Sequence, residues 1–169
     1  TFDLEISGPA VDRTPPSSSV STTSPLACEN DIVTYTATLT DCPDTSNFSW
    51  FVNGNLVATT SDPFFQTTSL VDGDIVSVSN TCYTICPISI QSTAPAISIQ
   101  SVQVNAGNSI TVPTGSTVQL NGSTSASSWV WSPTFLVSDT SALNPYATVD
   151  ETTTFALTAT ENGCSNTAY

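Results

Sequence analysis

The segment at residues 32–40, IVTYTATLT, alternates between apolar and threonine side chains, and this pattern restricts the fold more than any other feature. Alternation with a period of two places one set of side chains on each face of a β-strand. Such a strand belongs to a sheet that has one face in a core and the other face in water. The residues predicted to face the core are Val33, Tyr35, Ala37 and Leu39.

Asn53-Gly54 marks a β-hairpin in the aromatic segment 48–58, FSWFVNGNLVA. A type I′ turn needs a positive φ at both central residues, which asparagine and glycine tolerate. This turn fixes a predicted register for the two flanking strands. The predicted cross-strand pairs are Trp50 with Val57 and Phe51 with Leu56.

Short strands separated by turn residues continue along the rest of the chain. In the second half, strands are predicted at 110–112, at 127–133 and around Leu157, where apolar residues again alternate with threonine. Hydrophobic residues make up 38% of the chain, which is enough for a core, and no window has helical periodicity. The pattern therefore predicts an all-β protein built from two-sheet sandwiches.

Two segments share this plan, and their tryptophans Trp50 and Trp131 lie about 80 residues apart, as expected for tandem repeats. We predict two tandem β-sandwich domains at 17–93 and 94–169. Residues 1–16 are expected to be the end of a preceding repeat plus a linker. The last strand is expected to be truncated, so that the chain is a fragment of a longer mature protein.

The charge balance excludes two classes of partner. The chain has one basic residue, Arg13, against 14 acidic residues, and its formal net charge is −13. Binding to nucleic acid or to an anionic membrane surface requires several cations. No apolar run is long enough to cross a bilayer. We therefore expect no nucleic-acid partner and no membrane insertion.

The acidic residues are better candidates for calcium ligands than for catalytic groups. The absence of histidine removes the Ser-His and Cys-His nucleophile arrangements. The carboxylate pairs Asp72/Asp74 and Asp150/Glu151 are interpreted as solvated turn residues, so we expect no enzyme activity. Calcium binds carboxylate and loop carbonyl oxygens and is the only cofactor considered. Its candidate ligands are Glu29, Asp31, Asp72 and Asp74.

Two sets of motifs point to a family. The first domain contains W-x-V-N-G, a leucine and G-D-x-V, at Trp50, Val52, Asn53, Gly54, Leu70, Gly73, Asp74 and Val76. The second contains W-S-P, N-P, T-T-T-F and N-G-C, at 131–133, 144–145, 152–155 and 162–164. In these motifs, residues 28–168 resemble the PKD-like and immunoglobulin-like repeats of large Bacteroidetes cell-surface proteins, including gliding-motility adhesins exported by type IX secretion.

This resemblance implies immunoglobulin-like sandwiches in a secreted, extracellular, cell-surface protein. The implied function is that of an adhesin or an extended stalk. Its partners would be the neighbouring repeats of the same chain, with surface glycans or other surface proteins as possible ligands. These repeats often carry a cysteine before the second strand, and Cys28 has that position in the first segment. The second segment departs from the pattern, because it has no cysteine there.

Aromatic residues outside the expected core suggest an alternative function. Trp50, Trp131, Phe48 and Phe155 have the parity of core residues. Other rings lie near strand ends or loops, where several in one plane could stack on sugars. These are Phe64, Phe65, Tyr83, Phe135 and Tyr146. The alternative is a carbohydrate-binding module of a surface enzyme, and a third possibility is a spacer without any ligand.

The five cysteines indicate an oxidising compartment. In an alternating seven-strand sandwich, Cys28 lies at the opposite end from Cys42, Cys82 and Cys86, too far away for a disulfide. We predict Cys28–Cys164 as a bridge between domains and Cys42–Cys82 within the first domain. Cys86 would pair with a missing preceding domain, although Cys42–Cys86 remains an alternative.

Overall fold

The computed structural model describes residues 14–42, 44–83 and 87–169. Strands β1 to β8 are Ser17–Thr22, Leu26–Cys28, Val33–Thr40, Phe48–Val52, Asn55–Thr60, Phe64–Thr67, Val76–Cys82 and Ile88–Thr93. Strands β9 to β16 are Ser98–Gln100, Val104–Asn105, Ser116–Gln119, Ser123–Thr124, Ser128–Ser132, Tyr146–Val149, Ala156–Glu161 and Cys164–Ala168. The 3-10 helix η1, Thr134–Leu136, follows β13. No helix in the described ranges is long and apolar enough to span a membrane.

The fold is all-β, and residue contacts divide it into two immunoglobulin-like β-sandwich units. Unit 1 contains the described residues of Thr1–Pro25, Ile32–Thr67 and Asp74–Ala96. Unit 2 contains Leu26–Asp31, Thr68–Gly73 and Ile97–Tyr169. The predicted boundaries put Leu26–Asp31 and Thr68–Gly73 in the domain 17–93, whereas residue contacts, including the parallel pairing of β2 with β9, group both segments with unit 2. Most of the predicted N-terminal segment 1–16 lies outside the described residues.

Unit 1 combines a four-stranded sheet, ordered β5-β4-β7-β8, with a three-stranded sheet, ordered β1-β3-β6. The alternation in β3 is confirmed, because its predicted inward residues are buried up to Ala37, with Leu39 half-buried. The ring of Phe65 stacks on Trp50, with centroids 5.6 Å apart. The fully buried side chains of this core are Tyr35, Val33, Trp50, Val76, Val78 and Cys82.

The β4–β5 hairpin follows the predicted turn but only part of the predicted register. Asn53 and Gly54 have φ values of 50° and 81°. Phe51 pairs with Leu56 as predicted, whereas Trp50 pairs with Ala58. The predicted Trp50–Val57 pair is wrong because a β-bulge leaves Val57 unpaired and shifts the register by one residue.

Unit 2 is divided into smaller sheets. One sheet has the order β13-β15-β16, and the remaining strands form the pairs β10-β12, β11-β14 and β2-β9. The β15–β16 hairpin turns at Asn162-Gly163, with φ values of 50° and 85°. One buried cluster contains Val102, Ala126, Ala159 and Cys164. The other contains Leu120, Trp131, Ala147 and Leu157.

The predicted strand at 110–112 does not form. Its apolar pattern is suitable, but a strand also needs a neighbouring backbone to accept and donate its hydrogen bonds. No described strand pairs with this segment, and Ile110 is 53% exposed.

Candidate functional site

Two disulfide bonds join the cysteine pairs that the sandwich topology indicated. Cys28 and Cys164 are 136 positions apart in sequence, with their Cα atoms 5.5 Å apart. Cys42 and Cys82 are 40 positions apart, with a Cα separation of 5.4 Å. Because Leu26–Asp31 belongs to unit 2, the first bond lies within unit 2 rather than between two domains. Cys86, predicted to pair elsewhere, lies outside the described residues.

Three of the four calcium candidates accept hydrogen bonds within unit 2. Asp31 accepts one from the backbone amide of Cys28 at 3.0 Å, and Asp72 accepts one from the amide of Ile99 at 2.9 Å. Glu29 accepts one from a serine hydroxyl at 2.7 Å. Among the residues that the structure describes, no three Asp, Glu, His or Cys side chains come together as a metal site would require. Asp31 and Asp72 therefore fix the backbone at β2 and β9, and Glu29 holds the side chain of Ser101.

The fourth candidate, Asp74, is buried in unit 1 and supports the β4–β5 turn. The residue is 7% exposed, and its carboxylate accepts a hydrogen bond from the side-chain amide of Asn53 at 2.7 Å. The Asn53 side chain also accepts a bond from the amide of Ile75 at 3.0 Å. Burial, together with the negative charge of Asp74, raises the pKa of Tyr35 above its ordinary value of 10.0.

Two acids of unit 2, the exposed Asp139 and the half-buried Glu161, have lowered pKa values. The hydroxyl of Ser141 donates a hydrogen bond to Asp139 at 2.6 Å and lowers the pKa of that carboxyl. Hydrogen bonds from Ser127 lower the pKa of Glu161 in the same way. A general acid near neutral pH requires the opposite, a raised pKa. Asp150 and Glu151 are both exposed, as expected for turn residues.

The predicted core aromatics are buried to different degrees. Trp50 and Trp131 are fully buried and Phe48 is 4% exposed, which confirms their assignment. Phe155 is half-buried and packs against the cluster around Trp131. In unit 1, Phe64 is 48% exposed, and it points to the opposite face of β6 from Phe65.

The other candidate sugar-stacking rings are exposed, and two of them share a region of unit 2. Phe135 is 83% exposed on η1, and Tyr146 is 54% exposed on β14. A backbone hydrogen bond from Ser138 to Tyr146, at 2.8 Å, holds the segment after η1 against β14. Tyr83, in unit 1, is 49% exposed. Phe64 and Phe65 also belong to unit 1, so the five candidate rings are divided between the two units.

Unit 2 contains a groove of about 620 Å³ that the sequence analysis did not identify. Its two walls are the irregular segment 106–114 and the segment 149–155. Val118, Leu120 and Tyr169 complete the lining. The sequence carries no signal for this groove, because the strand pattern of 110–112 does not show that this segment lacks a pairing partner.

Comparisons with known proteins give low similarity throughout. No family model and no curated protein matches the chain. Three domains of the bacteriophage RB49 outer capsid protein Hoc align with 12% identity and a TM-score of 0.45, over 91% of this chain and 58% of that one. The insect immune protein hemolin aligns with 13% identity and a TM-score of 0.48, over 85% and 42%.

A third solved structure is SGBP-B of the Bacteroides ovatus mixed-linkage glucan utilization locus, in complex with a mixed-linkage heptasaccharide. It aligns with 15% identity and a TM-score of 0.36, over 99% of this chain and 47% of that one. The chain therefore spans about half the length of these solved structures.

Proposed function

We propose that this chain is an adhesive or spacing module of a secreted cell-surface protein, without a catalytic role. The observation that carries the proposal is the pair of disulfide bonds, one in each immunoglobulin-like unit. Structural disulfides persist in extracellular and other oxidising compartments and are rare in the cytosol. The formal charge of −13 also favours repulsion between neighbouring copies, which suits an extended array.

Within this class, we propose a PKD-like repeat of the Bacteroidetes gliding-adhesin type, exported by type IX secretion, with further repeats as its neighbours. The support is that the W-x-V-N-G and G-D-x-V motifs form one structural device. Asn53 of the first motif binds Asp74 of the second motif and the amide of Ile75. The spacing of the two motifs thus allows Asn53 in the β4–β5 turn to bind the two residues that precede β7.

Labelling of intact cells tests the surface assignment. Antibodies raised against the folded chain should label unpermeabilised cells of the source organism, and permeabilisation should add little signal. Labelling that requires permeabilisation would contradict the proposal. For adhesion, beads coated with the oxidised chain should be retained on a surface under flow more strongly than beads coated with the reduced, unfolded chain. Equal retention of the two kinds of bead would reject the adhesive role and favour the spacing role.

The exposed rings of unit 2 favour carbohydrate binding as a second candidate function. Phe135 and Tyr146 are exposed on neighbouring elements, and exposed aromatic rings can pack against the apolar faces of sugars. If this candidate holds, the full chain binds members of a glycan panel and the double variant Phe135→Ala/Tyr146→Ala loses that binding. The matched control is Phe64→Ala, which removes an exposed ring from unit 1. Equal loss in both variants, or no glycan bound by the parent chain, would reject the candidate.

A further inference from the structure

Three asparagines of the chain are followed directly by glycine: Asn53, Asn121 and Asn162. In an Asn-Gly pair, the glycine amide nitrogen can attack the Cγ atom of the asparagine, because glycine has no Cβ atom to hinder the approach. The attack forms a five-membered succinimide, and the amide proton leaves with the side-chain nitrogen as ammonia. Water then opens the ring at either carbonyl and gives aspartate or isoaspartate. Because the attack is intramolecular, the local geometry decides which asparagines react.

Asn53 and Asn162 occupy matched turns. Each is the first central residue of a two-residue hairpin turn, with a φ of 50°. The glycines that follow, Gly54 and Gly163, have φ values of 81° and 85°. All four residues are exposed, and neither glycine amide donates a hydrogen bond to a described residue. The two sites therefore share their backbone shape and solvent access, and they differ in the contacts of the asparagine side chain.

The side chain of Asn53 is held at both of its polar atoms. Its Nδ2 atom donates to the carboxylate of Asp74 at 2.7 Å, and its Oδ1 atom accepts from the amide of Ile75 at 3.0 Å. Turning Cγ toward the amide of Gly54 would break both bonds. The bond to Asp74 has a charged acceptor and is therefore of the stronger kind. These two bonds protect Asn53 against ring closure.

The side chain of Asn162 has a single weak contact. Its Nδ2 atom donates to the side-chain oxygen of Gln100 at 3.3 Å, in an exposed position, and its Oδ1 atom accepts no hydrogen bond from a described residue. A neutral bond of this length contributes little. We propose that Asn162 is a site of spontaneous succinimide formation, and that the bonds to Asp74 and Ile75 protect Asn53 from the same reaction.

The third pair, Asn121-Gly122, lies in a packed position. Gly122 is buried, and a Cβ atom placed on it would come within 2.8 Å of both Trp131 and Leu157. A planar ring at this point would displace Gly122 against these side chains. We therefore expect Asn121 to react more slowly than Asn162.

The reaction would change the β15–β16 hairpin in two ways. Either product adds one carboxylate to a chain whose formal charge is already −13. Isoaspartate also adds one methylene group to the backbone between Glu161 and Cys164, the pair that closes the hairpin. The longer turn should loosen this pair, while the bond of Cys164 to Cys28 keeps β16 in place.

Mass spectrometry of the full chain tests the proposal. The oxidised chain is incubated in mildly alkaline buffer made with heavy-oxygen water, which labels each opened ring, and is then digested with pepsin in acid. Asn162 should acquire the label at least about tenfold faster than Asn53, which must first break two hydrogen bonds. In the reduced chain, unfolded in denaturant, the three asparagines should react at similar rates. Equal rates for Asn53 and Asn162 in the folded chain would overturn the proposal. So would an unlabelled Asn162 after a period that converts it in the unfolded chain.

A matched pair of variants tests the protection of Asn53. Asp74→Ala removes the acceptor of the Asn53 amide, so labelling of Asn53 should become about tenfold faster while that of Asn162 stays unchanged. Val78→Ala is the control, because it weakens the same core and leaves both bonds of Asn53 in place. Equal acceleration by the two variants would show that unfolding of unit 1, rather than the two hydrogen bonds, controls Asn53. Asn162→Gln should remove the label from its own peptide, and a label that persists there would assign the reaction to another residue.

Discussion

Units 1 and 2 share a sandwich plan but are held together differently. In unit 1, β8 pairs with residues 77–82 of β7, and Ala94 extends the ladder to Val76. In unit 2, β15 pairs with β13 on one side and with β16 on the other, and no further strand joins this sheet in the described residues. Unit 1 therefore has two continuous sheets, whereas unit 2 has one three-stranded sheet and several strand pairs.

The difference shows that covalent and packing constraints can replace continuous sheets. Unit 2 incorporates two segments from earlier in the sequence, Leu26–Asp31 and Thr68–Gly73, and ties the first of them to β16 by the Cys28–Cys164 bond. It also packs closely at Gly122, where a Cβ atom would come within 2.8 Å of Trp131. Both features compensate for strands that are short and pair with few neighbours.

The largest expected effect is the loss of a disulfide. Replacing both Cys28 and Cys164 with serine should destabilise unit 2 by up to about 5 kcal/mol on the chain-entropy relation for a loop of this length. The matched pair, Cys42 and Cys82, closes a shorter loop and should cost unit 1 up to about 4 kcal/mol. Hydrogen exchange followed in denaturant measures the two units separately within the full chain. Equal losses in both units from either replacement would show that the units unfold together.

The next effect is the loss of a buried tryptophan, and here the two units should lose the same free energy of unfolding. Trp50→Ala and Trp131→Ala should each cost about 3–5 kcal/mol, because both rings are fully buried. Phe135→Ala is the control, since its exposed ring should contribute less than about 0.5 kcal/mol. Denaturant unfolding of each full-length variant gives these values. A much smaller cost for Trp131→Ala would mean that unit 2 collapses around the cavity.

A third effect is a difference in stability cost between Asp72 and Asp74, which lie on either side of Gly73 in one turn. Asp74 is buried in unit 1, and Asp74→Ala leaves the Asn53 amide without its acceptor, at a cost of about 2 kcal/mol. Asp72 accepts one exposed hydrogen bond in unit 2, so Asp72→Ala should cost about 1 kcal/mol. Hydrogen exchange should show the first loss in unit 1 and the second in unit 2. The reverse distribution would contradict the division at Gly73.

The smallest effect is a difference in pH response. The lowered pKa values of Asp139 and Glu161 stabilise unit 2 above their ordinary values of 3.8 and 4.5, and this contribution is lost as the pH falls through the folded values. The raised pKa of Tyr35 stabilises unit 1 below pH 10.0, and that contribution is lost as the pH rises through the raised value. Melting at several pH values should show acid weakening unit 2 and alkali weakening unit 1.

Two substitutions sharpen this last prediction. Ser141→Ala removes a hydrogen bond to Asp139 and should reduce the acid sensitivity of unit 2. Tyr35→Phe should abolish the Tyr35 contribution to alkaline sensitivity without harming stability at neutral pH, because the Tyr35 hydroxyl has no hydrogen-bond partner in the described structure. Unchanged pH profiles in both variants would mean that other groups control the response.

The sequence predicted the features that depend on neighbouring residues. Alternation identified the inward face of β3, and Asn53-Gly54 identified a turn whose backbone requires a positive φ. Strand parity also placed Trp50 and Trp131 in the cores. Each of these features follows from local backbone geometry, which a short segment is enough to specify.

The remaining features depend on backbone pairing that no sequence pattern in the chain specifies. The bulge that pairs Trp50 with Ala58 leaves no local signature in the turn. The parallel pairing of β2 with β9 moved Leu26–Asp31 into unit 2, and no periodicity within either segment indicates it. The segment 110–112 lines the groove because no described strand pairs with it. Alternation within a segment does not show whether a neighbouring strand is present.

The Cys28–Cys164 bond also determines how the chain responds to tension. A pull that enters before Cys28 and leaves after Cys164 passes through the sulfur atoms and bypasses the polypeptide between them. That segment spans 136 positions, or roughly 450 Å of extended backbone at the usual length per residue. While the bond is oxidised, neither Trp50 nor Trp131 lies on the covalent path that bears the load. The redox state of one bond therefore controls whether these 136 positions can be drawn out.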